Sequence, residues 1–169
     1  FFGCVALGGP GGVVVLIGRA VAAGSDREAR YNMSMAALQG GMAIYMGLGP
    51  IHALSMAFGD SPLHHGTLVT VAMPSVMRFY NDRLDNRKLE QYAEAMNISA
   101  SKDAGNHIAD AVAEMNAKLG LPSTVREMGY EKTDVDRMIK EAHDSGFNIP
   151  APIRPSKIGR AHVRTPVTS

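Results

Sequence analysis

The sequence has little of what marks several protein classes. Its 169 residues include one cysteine, Cys4, and no tryptophan. A single cysteine excludes an intramolecular disulfide framework and a cysteine-rich zinc module. Basic and acidic side chains nearly balance, 17 against 16. The chain therefore has no broad field to attract nucleic acid or an acidic membrane surface, and we expect neither as a partner.

A long uninterrupted hydrophobic run is also missing. Residues 1–17 are apolar and uncharged, but a membrane span needs about 20 such residues and this stretch is interrupted by Gly-Gly-Pro-Gly-Gly. That interruption lacks the spacing of a phosphate-binding loop. We treat residues 1–18 as a Gly-rich apolar end. Residues 158–169 resemble a translated sequencing-library adaptor and are predicted to be non-native. Both ends suggest part of a longer protein.

Between these ends, apolar residues recur with the period of an α-helix. The composition, 46% hydrophobic and 20% charged, is typical of a globular chain. Residues 19–157 are predicted to form one all-α helical bundle. The β-branched run Thr67–Ala72 is predicted to be helical because its apolar flanks exceed strand length, and Pro74 should kink or split that helix. A short helix is expected over Ser123–Met128. The first long helix carries a stripe of mostly small residues, namely Ala29, Met33, Ala36, Ala37, Gly40, Gly41 and Ile44.

Two histidines stand at the predicted starts of neighbouring helices. His52 follows Gly-Leu-Gly-Pro, and His65 precedes Gly66. Adjacent helix starts can direct both imidazoles into one cleft, and imidazole suits zinc, iron, copper or nickel. Two nitrogens do not complete a catalytic metal site. Asp60 is a candidate third ligand, although Asp before Ser-Pro more often forms a turn. A purely structural role at the helix ends is the alternative for both histidines.

The segment around these histidines resembles a known family. GLGPIHALSMAFGDSPLHHGTLVTVAMPSVMRFYN is similar to the C-terminal helical domain of the iron-containing, or group III, alcohol dehydrogenases. That domain carries a pattern like G-x-x-H-A-x-x-H-x-x-G followed by P-H-G. The segments GSDREARYNMSMAALQGGMA and GLPSTVREMGYEKTDVDRMIKEAHDSGFNIPAPIRP resemble the preceding helix and the closing stretch. The resemblance covers about residues 19–157.

The resemblance implies a metal site and a cofactor. The family holds iron, or zinc, with an Asp and three His. His52 and His65 match two of those ligands. The family's P-H-G reads Pro-Leu-His-His-Gly over residues 62–66 here, so His64 is an alternative to His65. Met56 replaces the second His of H-A-x-x-H, the position usually placed near the nicotinamide. The other two ligands and the nucleotide-binding domain are expected upstream, so no catalytic residue is assigned within this chain.

The function implied by the resemblance is that of a metal- and NAD(P)-dependent alcohol dehydrogenase or aldehyde reductase. Its substrate would be a small alcohol or aldehyde, its location cytoplasmic, and its full-length state a homodimer. This chain alone is expected to be inactive. One alternative is a catalytically silent helical module that packs or oligomerises through its small-residue stripe. Another is a related reductase of the maleylacetate or hydroxy-acid type.

Overall fold

A computed structural model describes residues 12–99 and 102–148. Within these ranges the chain forms seven α-helices and no β-strand, which confirms the predicted all-α class. The helices are α1 Gly12–Ala22, α2 Arg27–Ala43, α3 Pro50–Met56, α4 His65–Asn81, α5 Asn86–Ala95, α6 Ala104–Lys118 and α7 Val135–Asp144. Short 3₁₀ turns lie at Ile44–Met46, Lys132–Asp134 and Gly146–Asn148. No described helix is long and apolar enough to cross a membrane.

Helix α4 is the centre of the bundle. One of its faces packs with α3, α7 and the segment around Val125 and Met128 in one buried cluster. Its other face supplies Met73 and Met77 to a second cluster shared with α5 and α6. The run Thr67–Ala72 lies inside α4 and is helical as predicted. Burial on two sides explains why apolar residues occur on nearly all sides of this helix.

Pro74 lies inside α4 without splitting it. Proline has no N–H, so the carbonyl oxygen of Thr70, four residues earlier, loses its helical donor. The side chain of Asn116 on α6 replaces that donor, with its Nδ2 at 3.2 Å from the Thr70 oxygen. Asn116 is buried. The predicted split therefore does not occur, and the Thr70 carbonyl has a donor from a helix distant in sequence.

The segment Ser123–Met128 forms turns and not the predicted helix. Its backbone makes short-range bonds, such as Met128 N–H to the Val125 oxygen at 3.2 Å. The Glu127 carboxylate accepts from the Ser123 backbone N–H at 2.7 Å. The Thr124 hydroxyl accepts from the Glu127 backbone N–H at 3.1 Å, and Ser and Thr hydroxyls that bond the local backbone compete with helical bonding and favour turns.

The hairpin of α1 and α2 stands apart from both buried clusters. Its helices pack on each other, and its buried hydrophobic residues among those described are Leu16 and Ala29. Asp26 caps α2 by accepting from the Ala29 N–H at 3.0 Å. A Cβ at Gly41, in the small-residue stripe, would meet no atom within 4 Å, so nothing in the described part of the chain approaches that stripe closely at this residue. Residues 1–11 and 158–169 lie outside the described part of the chain.

Candidate metal centre

Helix α3 positions His52. The helix begins at Pro50, whose fixed backbone angle suits the first helical position, after an extended Gly49. Pro50, Ala53 and Leu54 are buried and anchor the helix on the bundle. His52 is half-buried, and burial, with a smaller contribution from the nearby His65, lowers the pKa of its imidazole. A neutral ring, the form that binds metals, is therefore favoured.

The imidazole rings of His52 and His65 lie side by side. His65 is the first residue of α4, and its ring centroid is 5.2 Å from that of His52, with the ring planes 52° apart. The proximity expected from two adjacent helix starts is thus present. His64 is the extended residue that precedes α4, and its side chain is exposed. The ring contact favours His65 over His64 as the partner of His52.

The separation of the two rings suits a shared ion. An ion about 2 Å from one nitrogen of each ring, at a tetrahedral angle, would leave the centroids about 5 Å apart. Imidazole nitrogen is a good donor for zinc and iron. Within residues 12–99 and 102–148, no three His, Cys, Asp or Glu side chains are grouped so that they could hold a metal. The described residues therefore bring two imidazole rings together but do not form a complete ligand set.

Asp60 does not join the two histidines. Its carboxylate accepts a hydrogen bond from the Tyr130 hydroxyl at 2.5 Å and another from Arg137 at 3.3 Å. The Tyr130 bond is the main reason why the pKa of the Asp60 carboxyl lies below its usual value. These contacts tie the α3–α4 loop to α7 and to the segment before it. Asp60 is thus a loop anchor, and the turn interpretation holds over the ligand interpretation.

One further neighbour of the histidine pair could not be predicted from the sequence. The ring of Phe147, in the last 3₁₀ turn, meets the His52 ring edge-on at 6.1 Å between centroids. This turn packs against α3. Phe147 lies in the closing stretch of the family resemblance, but nothing in its local spacing links it to a histidine on α3. Only the packing of the chain brings the two together.

Met56 is the last residue of α3, four residues after His52, and its side chain is 48% exposed. Residues four apart share one side of a helix. Met56 therefore presents a thioether on the side of α3 that carries the histidine. Leu54 and Phe58, two further large apolar residues close to His52 in the sequence, are buried in the core.

Comparison with known proteins identifies the family. The pattern described as the Fe-containing alcohol dehydrogenase family, C-terminal, matches residues 13–160. This chain belongs to that family. The matching pattern is the family's C-terminal one, so the helical bundle described above corresponds to that part of the family.

Individual relatives agree with this assignment. The chain is 41% identical over 132 residues to a 4-hydroxybutyrate dehydrogenase of Cupriavidus necator, covering 75% of this chain and 34% of the relative. It is 34% identical over 136 residues to a 1,3-propanediol dehydrogenase of Citrobacter freundii, covering 76% and 34%. A crystal structure of 1,3-propanediol oxidoreductase is similar with a TM-score of 0.76 and 30% identity, over 89% of this chain and 42% of that one. The chain thus spans about a third of the length of these curated relatives.

Proposed function

We propose that this chain is the metal-binding helical part of an oxidoreductase that interconverts a small alcohol and its aldehyde with NAD(P). The observation that carries the proposal is the His52–His65 ring pair at 5.2 Å, on the two positions that match the family's metal-binding motif. Iron is the proposed metal, with zinc as the alternative. The full-length protein is proposed to be cytoplasmic and homodimeric.

In the proposed reaction, His52 and His65 would hold the metal ion through one imidazole nitrogen each. The ion would act as a Lewis acid that polarises the carbon–oxygen bond of the substrate. Burial lowers the pKa of His52, which keeps that nitrogen free of a proton at neutral pH. The Phe147 ring restricts the His52 ring from one edge. The Met56 thioether cannot relay a proton, so proton transfer would need another group, and the Met56 side chain would contribute apolar surface beside a bound nicotinamide.

The metal site is tested by titrating Zn²⁺ into the purified chain in a calorimeter. Zinc avoids redox side reactions. We expect one site in the unmodified chain, and an affinity lower by about tenfold or more in His52→Ala and in His65→Ala, because each loses half of the donor pair. His64→Ala is the matched control, since it removes a neighbouring exposed imidazole. Equal affinities in all four proteins would refute the site, and a loss of affinity in His64→Ala but not in His65→Ala would move the ligand to His64.

The reaction is tested with a full-length chimera in which the preceding part of the Cupriavidus necator relative is joined to this chain. Cofactor reduction is followed with 1,3-propanediol and 4-hydroxybutyrate among the substrates, because relatives are named for these two compounds. We expect turnover that His52→Ala abolishes. Activity restricted to hydroxy acids would favour the related reductase class. No turnover in a folded chimera that binds zinc would favour the catalytically silent packing module.

A further inference from the structure

One short loop, residues 57–64, joins the two helices that carry the histidine pair. Helix α3 has only seven residues, and a helix of that length has little stability of its own in water. Its position relative to α4 therefore depends on its packing and on how the loop is held. Because His52 lies on α3 and His65 begins α4, the distance of 5.2 Å between their ring centroids depends on that position too.

Tyr130 holds this loop at two points. Its ring centroid lies 5.5 Å from that of Phe58, and its hydroxyl donates to the Asp60 carboxylate at 2.5 Å. Phe58 is buried in the core, so the first contact fixes the inner part of the loop. The second contact fixes the outer part, through a hydrogen bond to a charged acceptor, which is stronger than one between neutral groups.

The Asp60 carboxylate has a second donor on α7. Arg137 Nη2 lies 3.3 Å from Asp60 Oδ2, whereas the Tyr130 hydroxyl is bonded to Oδ1. Arg137 is itself held by Glu141, whose two carboxylate oxygens accept from Nη1 at 3.3 and 3.2 Å. Exposed ion pairs of this kind contribute little to overall stability. Their effect here is geometric, because bonds to both oxygens restrict the direction of the carboxylate as well as its position.

The turn before Tyr130 connects this network to the core. Gly129 has a φ of +91°, a conformation that residues with a side chain rarely adopt. The Tyr130 N–H closes the turn by donating to the Val125 oxygen at 3.2 Å. Val125 is buried in the cluster that also contains residues of α3 and α4. The donor to Asp60 is therefore anchored on the same core as the two helices that carry the histidines.

We infer that Tyr130 and Asp60 are positioning residues for the His52 and His65 pair, because their hydrogen bond fixes the loop that joins α3 to α4. Both act through the loop and not as ligands. The inference rests on the proposed function, in which the two imidazoles hold a metal ion. Ligands that are held in place before the ion arrives bind it more tightly. Without the bond, the rings would sample wider separations, and binding would have to restrict them.

The first measurement needs no metal. In the metal-free chain with labelled histidines, the nuclear Overhauser effect between the ring protons of His52 and His65 reports their separation. We expect a weaker effect in Tyr130→Phe, which keeps the aromatic ring and removes the hydroxyl donor, and in Asp60→Ala. Asp110→Ala is the matched control. The Asp110 side chain is 64% exposed and that of Asp60 60%, and each carboxylate pairs with an arginine from another helix.

The second measurement is a calorimetric titration of Zn²⁺ into the same variants, at a temperature at which all of them are folded. Tyr130→Phe and Asp60→Ala should bind Zn²⁺ more weakly by about tenfold, the lower end of the range for groups that orient metal ligands. Asp110→Ala should bind it as the unmodified chain does. A contact that only stabilises the fold would change the Tm of the variant and leave the zinc affinity of its folded form unchanged.

Two results would overturn the inference. One is a ring-proton effect and a zinc affinity in Tyr130→Phe and Asp60→Ala that equal those of Asp110→Ala. The other is an equal loss in all three variants, which would indicate general loosening of the bundle. If Asp60→Ala does not fold, Tyr130→Phe decides, since it removes a single oxygen atom. Failure of the proposed function looks different, because the unmodified chain and His52→Ala would then bind Zn²⁺ equally, and the measurement without metal would still decide whether the loop positions the rings.

Discussion

Substituting Gly105 with alanine should destabilise the bundle because α6 crosses α4 at this residue without room for a side chain. A Cβ at Gly105 would lie 2.9 Å from the Asn81 Cα and 2.9 Å from the Met77 carbonyl oxygen. Ordinary contact begins at 3.4 Å, so the helices must separate by about half an ångström. Both obstructing atoms are backbone and cannot rotate away. The shift also stretches the bond from the Asn106 N–H to Asn81 Oδ1, now 3.2 Å.

Overpacking of this kind costs about 1–3 kcal/mol, and the better helix propensity of alanine returns up to about 1 kcal/mol. The difference spans about 0–3 kcal/mol. We expect a net loss in the free energy of unfolding near its middle, about 1–2 kcal/mol, which lowers the Tm by about 2–8 °C in a chain of this size. Circular dichroism during heating and urea unfolding measures both. Gly66→Ala is the control, since a Cβ at this position in α4 meets nothing within 4 Å. It should leave stability unchanged or raise it. A Gly105→Ala variant as stable as Gly66→Ala would refute the packing argument.

Three further outcomes follow from particular hydrogen bonds. Asn116→Leu removes the donor to the Thr70 oxygen and should lower the free energy of unfolding in urea by about 1–3 kcal/mol. Adding Pro74→Ala to that variant restores a backbone donor for the same oxygen. Losses of stability that simply add in the double variant would therefore contradict this account. Asp60→Asn weakens the acceptor of the Tyr130 hydroxyl, and amide hydrogen exchange in the α3–α4 loop should become faster, whereas unchanged exchange would show that the loop is held otherwise. Burial, followed by the bond to Asp60, raises the pKa of Tyr130 from 10.0 to about 12. The folding stability that comes from this higher pKa is complete below pH 10 and is lost as pH rises towards 12. Tyr130→Phe should therefore show a smaller fall in Tm between pH 10 and 12 than the unmodified chain.

Helical period predicted most of the fold because it reports local geometry. The repeat of apolar residues is enough to locate α2, α4 and α6. Helices α4 and α6 bury at least one apolar face, and α2 has an apolar face that the described part of the chain leaves uncovered. The effect of Pro74 could not be predicted in the same way. Its missing donor is replaced by Asn116, and no local pattern connects a proline in one helix with an amide in another.

The same difference between local and long-range contacts applies to the candidate site. His52 and His65 are near each other in sequence and begin consecutive helices, so their proximity could be anticipated. Phe147 and Tyr130 come from the far end of the described chain, and their contacts with His52 and Asp60 depend on how α7 packs against α3. The sequence therefore indicates the two candidate ligands but not the residues that hold their surroundings.

The chain alone should not oxidise an alcohol, even if it binds zinc. Within the described residues no group of three metal-binding side chains is present, so an ion would be held by two imidazoles and water. The fixed coordination geometry that a catalytic ion needs would then be incomplete. The chain also spans only 34% of the length of its Cupriavidus necator relative, and the nicotinamide domain implied by the family lies outside the matched region. Without that domain no hydride acceptor is oriented against the substrate. Purified chain, loaded with Zn²⁺ or Fe²⁺ and given NAD(P) and short alcohols, should reduce the cofactor no faster than its His52→Ala variant. A clear excess of turnover over that variant would mean that this part of the family protein holds more of the active site than two imidazoles.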